Sequence, residues 1–379
     1  MNPVRFPSGA QRLLSPRLLP PAAAGLPAAL DSAPVGPAQG ATVARAAVWL
    51  AALVLYPWVA SPFFVYQIGA QTLVLGLIAL SLSMLAGMGG MVSLSQMTVA
   101  GIAAYMVAIF GTSSVASISL GWAPGLAIVV ALAASVLAAV AIGALSIRTE
   151  GIRTIMITLA IGVAFFYLTQ QNYAVLNGFQ GFARIEAPIV FGIDLNRPLA
   201  FYYLCLAVAA LAVFGVMYLA RTPFGIGLQG VRDNARRMAS LGFDVTAHRL
   251  AAHAIAGLVA GAGGVLFVYY NHRISPGSIN TAAMINVLVI AVLGGMRHPV
   301  GAFLGAALFV LLQNFAIDLV SRDRFNLAIG TVFLVLVFVS PDGLLGLWER
   351  LRVLARPDMR TRASPGGNTP NDPTPRRHP

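Results

Sequence analysis

The chain has 379 residues, of which 58% are hydrophobic and 9% charged, and it carries a formal net charge of +12 with a single cysteine, Cys205. A mean hydropathy of +0.81 and repeated apolar stretches of about 20 residues indicate a helical protein with many membrane spans. All 24 basic residues are arginine, so the lysine that a P-loop ATPase or a Schiff-base enzyme needs is missing, and one cysteine cannot form an internal disulfide framework.

The two ends of the chain differ in composition from its middle. Residues 1–45 are rich in Pro and Ala without a continuous apolar run, which predicts a flexible cytoplasmic extension, and their prolines interrupt any secretory signal. Residues 348–379 predict a basic, Pro-rich cytoplasmic tail. We therefore assign residues 46–347 to the membrane domain.

Within that domain, ten apolar segments predict an all-α, polytopic transmembrane helical bundle. The segments are 46–66, 68–86, 95–111, 124–146, 153–172, 198–219, 248–269, 282–296, 299–319 and 326–345. The third, eighth and ninth are short or interrupted by glycine. Any of these three could therefore be a partial or re-entrant span.

The orientation follows from the arginines, because positive charge is retained on the cytoplasmic side of short loops. With the N-terminus inside and all ten segments crossing, 19 arginines fall on the inner side and five on the outer side. Both termini are then expected on the cytoplasmic side. This asymmetry explains the basic charge by a membrane face, so nucleic-acid binding is not required.

The longest predicted cytoplasmic loop, residues 221–244, has the sequence RTPFGIGLQGVRDNARRMASLGFD. Its apolar residues recur at spacings of three and four, which predicts one amphipathic helix through Leu228, Val231, Ala235, Met238 and Leu241. A glycine such as Gly242 can end this helix in a left-handed conformation. Amphipathicity alone is equally consistent with a helix lying on anionic lipid and with one docking into a groove of a soluble partner.

The residues of this loop resemble those of the inner-membrane permeases of branched-chain amino acid ABC importers. That family has a basic residue, Pro-Phe-Gly, an Arg-Glu-Asn-like triplet and a closing Leu-Gly, and here Asp233 replaces the more usual Glu. The resemblance implies that the loop contacts the ATPase. The predicted coupling residues are Arg221, Pro223, Phe224, Gly225, Arg232, Asp233, Asn234, Arg236, Arg237, Leu241 and Gly242.

Four further stretches resemble the same family in order and spacing. They are GMGGMVSLSQMTVAGIAAY from Gly87, TEGIRTIMITLAIG from Thr149, ISPGSINTAAMINVLVIAVLGGM from Ile274 and VSPDGLLGL from Val339. Together they favour the longer of the two paired permeases. The loop NGFQGFARI, residues 177–185, lacks the Thr-Gly-Gly-Ser-Asp-Gly run common in the family, and Arg297 and His298 replace small residues, so the resemblance supports transport more directly than cargo.

Polar residues interrupt the third segment directly after a glycine pair. Polar groups at membrane depth are costly, and a glycine-broken helix can offer backbone donors to a carboxylate, which predicts a substrate path. Small residues can instead serve close helix packing. The predicted path residues are Gly89, Gly90, Ser93, Ser95, Gln96, Thr98 and, more weakly, Asn286.

The resemblance implies a permease subunit that moves branched-chain or other hydrophobic amino acids. Its expected partners are two ATP-binding cassette subunits, a second homologous permease, an extracytoplasmic binding protein and membrane lipid, and only the partners use ATP as a cofactor. Related permeases for urea, short amides or other amino acids are the nearest alternative. An ion-coupled secondary transporter is another, if Asp318 were a buried ion site. We identify no catalytic residues and no metal ligands, so an enzyme is not expected.

Overall fold

The computed structural model of the chain describes residues 51–149, 151–190 and 192–319, with a few isolated positions between 330 and 346. The predicted N-terminal extension, the tail after residue 347 and the span expected at 326–345 lie outside the described residues, as do Glu150 and the side chain of Asp318.

Helices make up most of the described chain, as the apolar segments predict. We number them α1 to α9: Pro62–Gly89, Gln96–Phe110, Pro124–Ser146, Ile152–Gln171, Pro198–Arg221, Pro223–Ser240, Val245–Asn271, Thr281–Gly294 and Pro299–Leu319. Within the described residues, six helical stretches are long and apolar enough to cross a membrane: α1, α3, α4, α5, α7 and the stretch Pro276–Gly294 that ends with α8.

The start of α1 differs from the predicted boundary near residue 67. Residues 51–59 are helical, the helix stops at Ser61, and α1 then runs without interruption from Pro62 through a π-helical stretch, Val65–Ala70, to Gly89. Proline has no backbone N–H and favours the first turn of a helix, so the chain restarts its helix at Pro62. The apolar run hides this boundary because it continues on both sides.

The core of the bundle includes α1, α2 and α7, which are mostly buried, whereas α3, α4 and α5 expose most of their surface. Small residues bring α7 close to its neighbours. A Cβ at Gly264 would overlap the Ala100 carbonyl oxygen of α2, and one at Gly261 would overlap the Ser135 hydroxyl of α3. Close backbone approach of this kind is how membrane helices gain packing energy without a hydrophobic driving force.

Two short helices begin inside the bundle instead of at its ends. Gln96 at the start of α2 lies beside Ser81, with 3.1 Å between Ser81 Oγ and Gln96 Oε1. Ser81 is eight residues before the end of α1, or about 12 Å along the helix axis. Ile279, just before α8, packs on Gly101 of α2. Both helices therefore start partway along their neighbours, and the eighth predicted segment overlaps the longer candidate span Pro276–Gly294.

The same chain path occurs twice with opposite direction. Helix α1 is followed by residues 90–95, which we call the break segment, and then by the short α2; α7 is followed by residues 272–280 and then by the short α8. Inverted repeats with discontinuous helices are a common architecture of membrane transporters. No matching sequence motif marks this repeat. The Gly-Gly-Met run at Gly89 follows the long helix α1, whereas the one at Gly294 follows the short helix α8.

We name the two ends of the bundle by the position of α6. At the α6 end, Arg232 of α6 donates to the Gly87 carbonyl oxygen of α1, and Arg249 of α7 donates to the Ile147 carbonyl oxygen after α3. At the opposite end, Tyr66 of α1 donates to the carbonyl oxygen of Tyr270 in α7 at 2.7 Å.

The opposite end also contains short β-strands, the only ones among the described residues. The all-α prediction did not include them. Phe182–Ala183 pairs with Arg273–Ile274, and Ile189–Val190 pairs with Ile193–Asp194, both antiparallel. Each strand has two residues. The first pair fixes the loop after α4 to the end of α7, which closes this end of the inverted repeat.

Candidate coupling site and membrane path

The turn between α5 and α6 depends on three particular residues, Thr222, Pro223 and Gly225. Thr222 caps the helix, because its Oγ1 accepts from the N–H of Gly225 at 3.3 Å, and Pro223 occupies the first helical position. A Cβ at Gly225 would overlap the Leu219 carbonyl oxygen of α5. The Pro-Phe-Gly run is thus what lets α5 end and α6 begin within two residues.

Phe224 holds the start of α6 against α7. Its ring stacks on the imidazole of His248, with centroids 5.5 Å apart and planes 9° apart, and Phe243 contacts the same imidazole edge to face. His248 Nδ1 lies 2.9 Å from the Asp244 carbonyl oxygen. His248 is thus packed between two phenyl rings where α6 and α7 meet.

The single amphipathic helix predicted through residues 228–241 is wrong in one respect, because α6 is broken at Asn234. Asn234 has φ −158° and ψ 92°, an extended conformation inside an otherwise helical stretch. Its Oδ1 accepts from the N–H of Arg237 at 2.9 Å, so Asn234 acts as the N-cap of a second short helix. An Asn side chain can compete in this way for backbone donors, which apolar periodicity does not reveal.

Arg232 connects α6 to the end of α1. Its Nη1 donates to the Gly87 carbonyl oxygen at 2.5 Å, while its Nε and Nη2 both lie 2.9 Å from Asp233 Oδ1. The carbonyls in the last turn of a helix have no intrahelical partner, so a guanidinium there satisfies one of them and favours the negative helix end. The ion pair itself is exposed and contributes little stability.

The other predicted coupling residues lie on the surface of α6 and its ends. Arg221, Arg236, Arg237 and Leu241 are exposed, and Leu241 exposes 68% of its side chain. Gly242 has φ +88°, the left-handed conformation predicted for the helix end. Ile226, with 62% exposed, adds a second apolar side chain that sequence analysis did not single out.

The polar path residues of the break segment and of the start of α2 are buried, and each has a partner within the chain. Ser93, Ser95, Gln96 and Thr98 each expose 2% or less. The Ser93 and Ser95 hydroxyls are 2.8 Å apart, and Thr98 Oγ1 lies 3.9 Å from the Met284 sulfur of α8. Gln96 is partnered by Ser81 of α1, so the buried polar groups find partners inside the bundle, as such groups generally do.

Helix α4 covers this polar cluster on one side. Thr158 Oγ1 accepts from the N–H of Leu94 in the break segment at 3.1 Å and donates to the Thr154 carbonyl oxygen at 3.0 Å. Gly162 allows Thr98 and Met284 to approach the helix closely. Sequence analysis missed these residues, although Thr154, Thr158 and Gly162 recur every four positions in an apolar helix.

The remaining predicted path residues lie in two places. Asn286 is half-buried on α8. Gly89 and Gly90 lie next to α6, just before the buried polar residues in the chain. Gly90 has φ +67°, and it contacts Arg232 so closely that a Cβ at this position would come within 2.7 Å of Arg232 Cγ. The structure thus brings the glycine pair against α6 and places Asn286 apart from it.

A cavity of about 520 Å³ opens where these elements meet. It lies between the glycine pair and break segment, the turn before α4, the middle of α6 and Arg249 of α7. Its lining residues are Gly89, Gly90, Met91, Val92, Thr149, Gly151, Thr154, Ile155, Val231, Arg232, Asp233, Asn234, Ala235, Arg236 and Arg249. Two of the predicted path residues, Gly89 and Gly90, therefore line the same cavity as the predicted coupling residues Arg232, Asp233, Asn234 and Arg236.

The chain matches a known protein family over most of its length. Residues 64–340 match the model of the family described as branched-chain amino acid transport system / permease component. The chain belongs to this family. The match includes every described element from α1 to α9, so the permease is a multi-pass protein of the plasma membrane.

Curated relatives of the permease carry related names. The high-affinity branched-chain amino acid transport system permease protein LivM of Salmonella typhimurium is 26% identical over 334 residues, which is 81% of this chain and 76% of that protein. LivM of Escherichia coli is 27% identical with the same coverage. The nucleoside ABC transporter permease protein NupC of Lactococcus lactis is 32% identical over 122 residues, or 30% of this chain and 35% of that protein. No solved structure matches the chain.

Proposed function

We propose that this permease moves branched-chain and similar hydrophobic amino acids into the cell as one subunit of an ABC importer, and that α6 couples it to ATP hydrolysis. The observation that carries the proposal is the Arg232 contact, which ties the exposed helix α6 to the end of α1 beside the break segment. The names of the LivM relatives, which cover most of the chain, support the cargo.

The arginines support a cytoplasmic position for the α6 end. Among the described residues, eight arginines are at this end, and three, Arg184, Arg197 and Arg273, are at the opposite end. Positive charge is retained on the cytoplasmic side, so we assign the α6 end to the cytoplasm, with both termini inside and about ten membrane segments. The eight arginines are Arg148, Arg153, Arg221, Arg232, Arg236, Arg237, Arg249 and Arg297.

The partners follow from the type of transporter. ATP is hydrolysed by two ATP-binding cassette subunits, a second homologous permease completes the pore with this chain as the longer of the pair, and an extracytoplasmic binding protein delivers the cargo. The chain itself performs no covalent chemistry and binds neither a cofactor nor a metal. The family description as a permease component of a transport system supports this division of labour.

The geometry of α6 suggests how motion reaches the membrane. Movement of the ATPase would displace the exposed face of α6, which includes Arg236, Arg237 and Leu241. Arg232 would pass that displacement to Gly87, and so to the glycine pair and the break segment that follows it. Because α4 contributes Thr158 to the same cluster, opening the path requires α4 to separate from Leu94.

The similarity to the nucleoside permease NupC, over 30% of this chain, suggests nucleosides as a second possible class of cargo. The two cargoes differ in what the binding protein recognises, and the transport step would use the same elements. Titration of the cognate binding protein with leucine, isoleucine, valine and nucleosides separates them. Tight binding of nucleosides and none of the amino acids would replace the proposed cargo.

Reversing the charge of α6 tests the coupling role. We expect Arg232→Glu with Arg236→Glu to leave membrane insertion intact and to abolish ATP-driven uptake of leucine in reconstituted vesicles, because the Gly87 contact and the exposed positive charge are both lost. Arg153→Glu, at the same end of the bundle but outside α6, is the matched control and should retain uptake. Normal uptake by the double variant would mean that α6 is only a lipid-surface helix, and uptake driven by an ion gradient without ATP would mean a secondary transporter.

A further inference from the structure

Helix α4 turns polar residues toward the bundle and apolar residues outward. Three of its four buried residues carry a hydroxyl, and the four are Thr154, Thr158, Gly162 and Thr169. The large side chains that are more than half exposed are Ile152, Met156, Tyr167 and Leu168. By contrast, α5, which is also largely exposed, buries six residues, of which only Tyr202 carries a hydroxyl. A polar inner face of this kind is typical of a membrane helix that lines a path for polar molecules.

The polar face of α4 lies against the break segment, α2 and α8. Thr158 accepts from the Leu94 N–H, and Gly162 lies where Thr98 of α2 and Met284 of α8 meet. Thr169, at the outer end of the contact, is about 16 Å from Thr158 along the helix axis. We call this contact the α4 seam, and it consists of Thr158, Gly162, Phe165 and Thr169 of α4 with Leu94, Thr98, Tyr105 and Met284 opposite.

The outer part of the α4 seam contains a buried hydroxyl without a partner. The ring of Tyr105 lies edge to face with Phe165 of α4 and with Phe182 of the outer strand pair, at centroid distances of 6.4 and 6.2 Å. Tyr105 is fully buried, and its hydroxyl has no hydrogen-bond partner among the described residues. Thr169 lies beside the phenol, but its own proton is donated to the Phe166 carbonyl oxygen at 2.7 Å. A buried donor without a partner is costly, so it indicates a group that arrives in another state of the protein.

Three helices meet tightly in the middle of the α4 seam. A Cβ at Gly162 would lie 2.7 Å from the Met284 sulfur and 2.8 Å from the Thr98 hydroxyl oxygen. Any side chain at this position therefore requires one of these neighbours to move. The Met284 side chain has three rotatable bonds, so it can withdraw from Gly162 and leave space for an aliphatic group.

We propose that the amino acid cargo crosses this permease along the α4 seam, and that Gly162 and Met284 set the size of the side chain that passes. The Tyr105 hydroxyl donates to the cargo carboxylate in the outer part, and the aliphatic side chain passes Phe165 and Met284. The residues of the seam are all uncharged, which favours a zwitterion over a molecule with a net charge. The inference rests on the proposed function for the identity of the cargo.

Small and hydroxyl-bearing residues also serve the close packing of membrane helices. The two roles differ in whether water reaches the α4 seam. A contact that only packs two helices stays dry throughout the transport cycle, whereas a path must admit water together with the cargo. Access of a water-soluble reagent to the seam therefore separates them.

Labelling of introduced thiols tests whether the α4 seam opens. The complete importer in nanodiscs is treated with a small, water-soluble methanethiosulfonate reagent, at rest and with ATP and leucine-loaded binding protein, and this subunit is analysed by mass spectrometry. With ATP and leucine we expect Thr169→Cys and Thr98→Cys to react about tenfold faster than at rest, since an open state that is rare at rest becomes well populated. Cys205 of α5 is the internal control, because it is also fully buried but lies beside Tyr66 of α1, away from the seam, and should stay unreactive.

Substitution of Gly162 tests the size limit. Gly162→Ala should lower ATP-driven uptake of leucine more than that of valine, and the ratio of the two rates should change about tenfold, since the two cargoes differ by one methylene in a tight contact. Adding Met284→Ala to this variant should restore leucine uptake by returning the lost space. Gly257→Ala is the matched control, because a Cβ there would overlap the Ala139 Cβ between α7 and α3, away from the α4 seam, and it should change both rates equally.

Two results would overturn the proposed path and leave the proposed function in place. One is an importer that transports leucine while Thr169→Cys and Thr98→Cys stay as unreactive as Cys205. The other is a leucine-to-valine ratio that changes equally in Gly162→Ala and Gly257→Ala. Labelling of the α4 seam that rises with ATP hydrolysis, in an importer that takes up nucleosides but not leucine, would support the path and overturn the proposed cargo instead.

Discussion

The break segment and α6 meet where Gly90 contacts the Arg232 side chain, yet they carry their polar groups in different ways. In the break segment Ser93, Ser95 and the Leu94 N–H are buried and bonded inside the chain. On α6 the charged residues Arg236 and Arg237 are exposed. Buried polar groups are costly when a partner is removed, whereas exposed charges are not. A buried, internally bonded segment thus lies directly against a surface helix whose charged side chains are accessible to a partner.

The largest expected loss of stability comes from replacing a glycine. One glycine in each region, Gly90 and Gly242, has a left-handed backbone conformation. Gly90 has φ +67°, and the Arg232 side chain lies against it. Gly242 has φ +88°, and no atom lies within 4 Å of the position that a Cβ would take there. We expect Gly90→Val to cost roughly 2–5 kcal/mol from strain and overlap together. Gly242→Val should cost only the strain, about 1–2 kcal/mol.

Thermal denaturation of the purified protein in nanodiscs measures this difference. The Gly90 variant should lose its folded form at a clearly lower temperature than the Gly242 variant. Equal loss in both would mean that the contact between Gly90 and Arg232 does not constrain the break segment.

A smaller effect is expected at Thr158, which joins α4 to the break segment. Thr158→Val removes the acceptor of the Leu94 N–H and leaves that donor buried without its partner, which costs about 1–3 kcal/mol. Ser146→Ala is the matched control, because the Ser146 hydroxyl donates only to Gly143 in its own helix. Thr158→Ser, which keeps the acceptor, should restore thermal stability; a destabilised Ser variant would point to lost methyl packing instead.

The smallest expected effect on stability is at Asn234, the N-cap within α6. Asn234→Ala should cost about 1 kcal/mol locally and let residues 235–240 fray, which hydrogen exchange of those amides would show. Because these residues carry exposed coupling arginines, we expect fewer leucine molecules imported per ATP hydrolysed. Asn234→Asp preserves the cap and should behave as wild type. Unchanged exchange in Asn234→Ala would show that the second helix needs no cap.

The sequence predicted much of this architecture because its signals are local. Apolar segments gave the helices of the bundle to within a few residues, and the Pro-Phe-Gly run and Gly242 correctly bounded the helix in the loop. The short third and eighth segments match short helices, α2 with 15 residues and α8 with 14. The break at Asn234 was missed because Leu228, Val231, Ala235 and Met238 keep a helical period on both sides of it.

The sequence by itself determined that this protein is a helical bundle in a membrane, where polar and charged residues interrupt it, and which family it resembles, since hydrophobicity and turn chemistry act between near neighbours in the chain. Only the tertiary structure decided that the polar break segment is buried under α4, that Arg232 reaches Gly87 and that Arg249 shares a cavity with Ile155. These contacts join residues about a hundred or more positions apart or on different helices. Their formation depends on how whole helices pack, which no short stretch of sequence encodes.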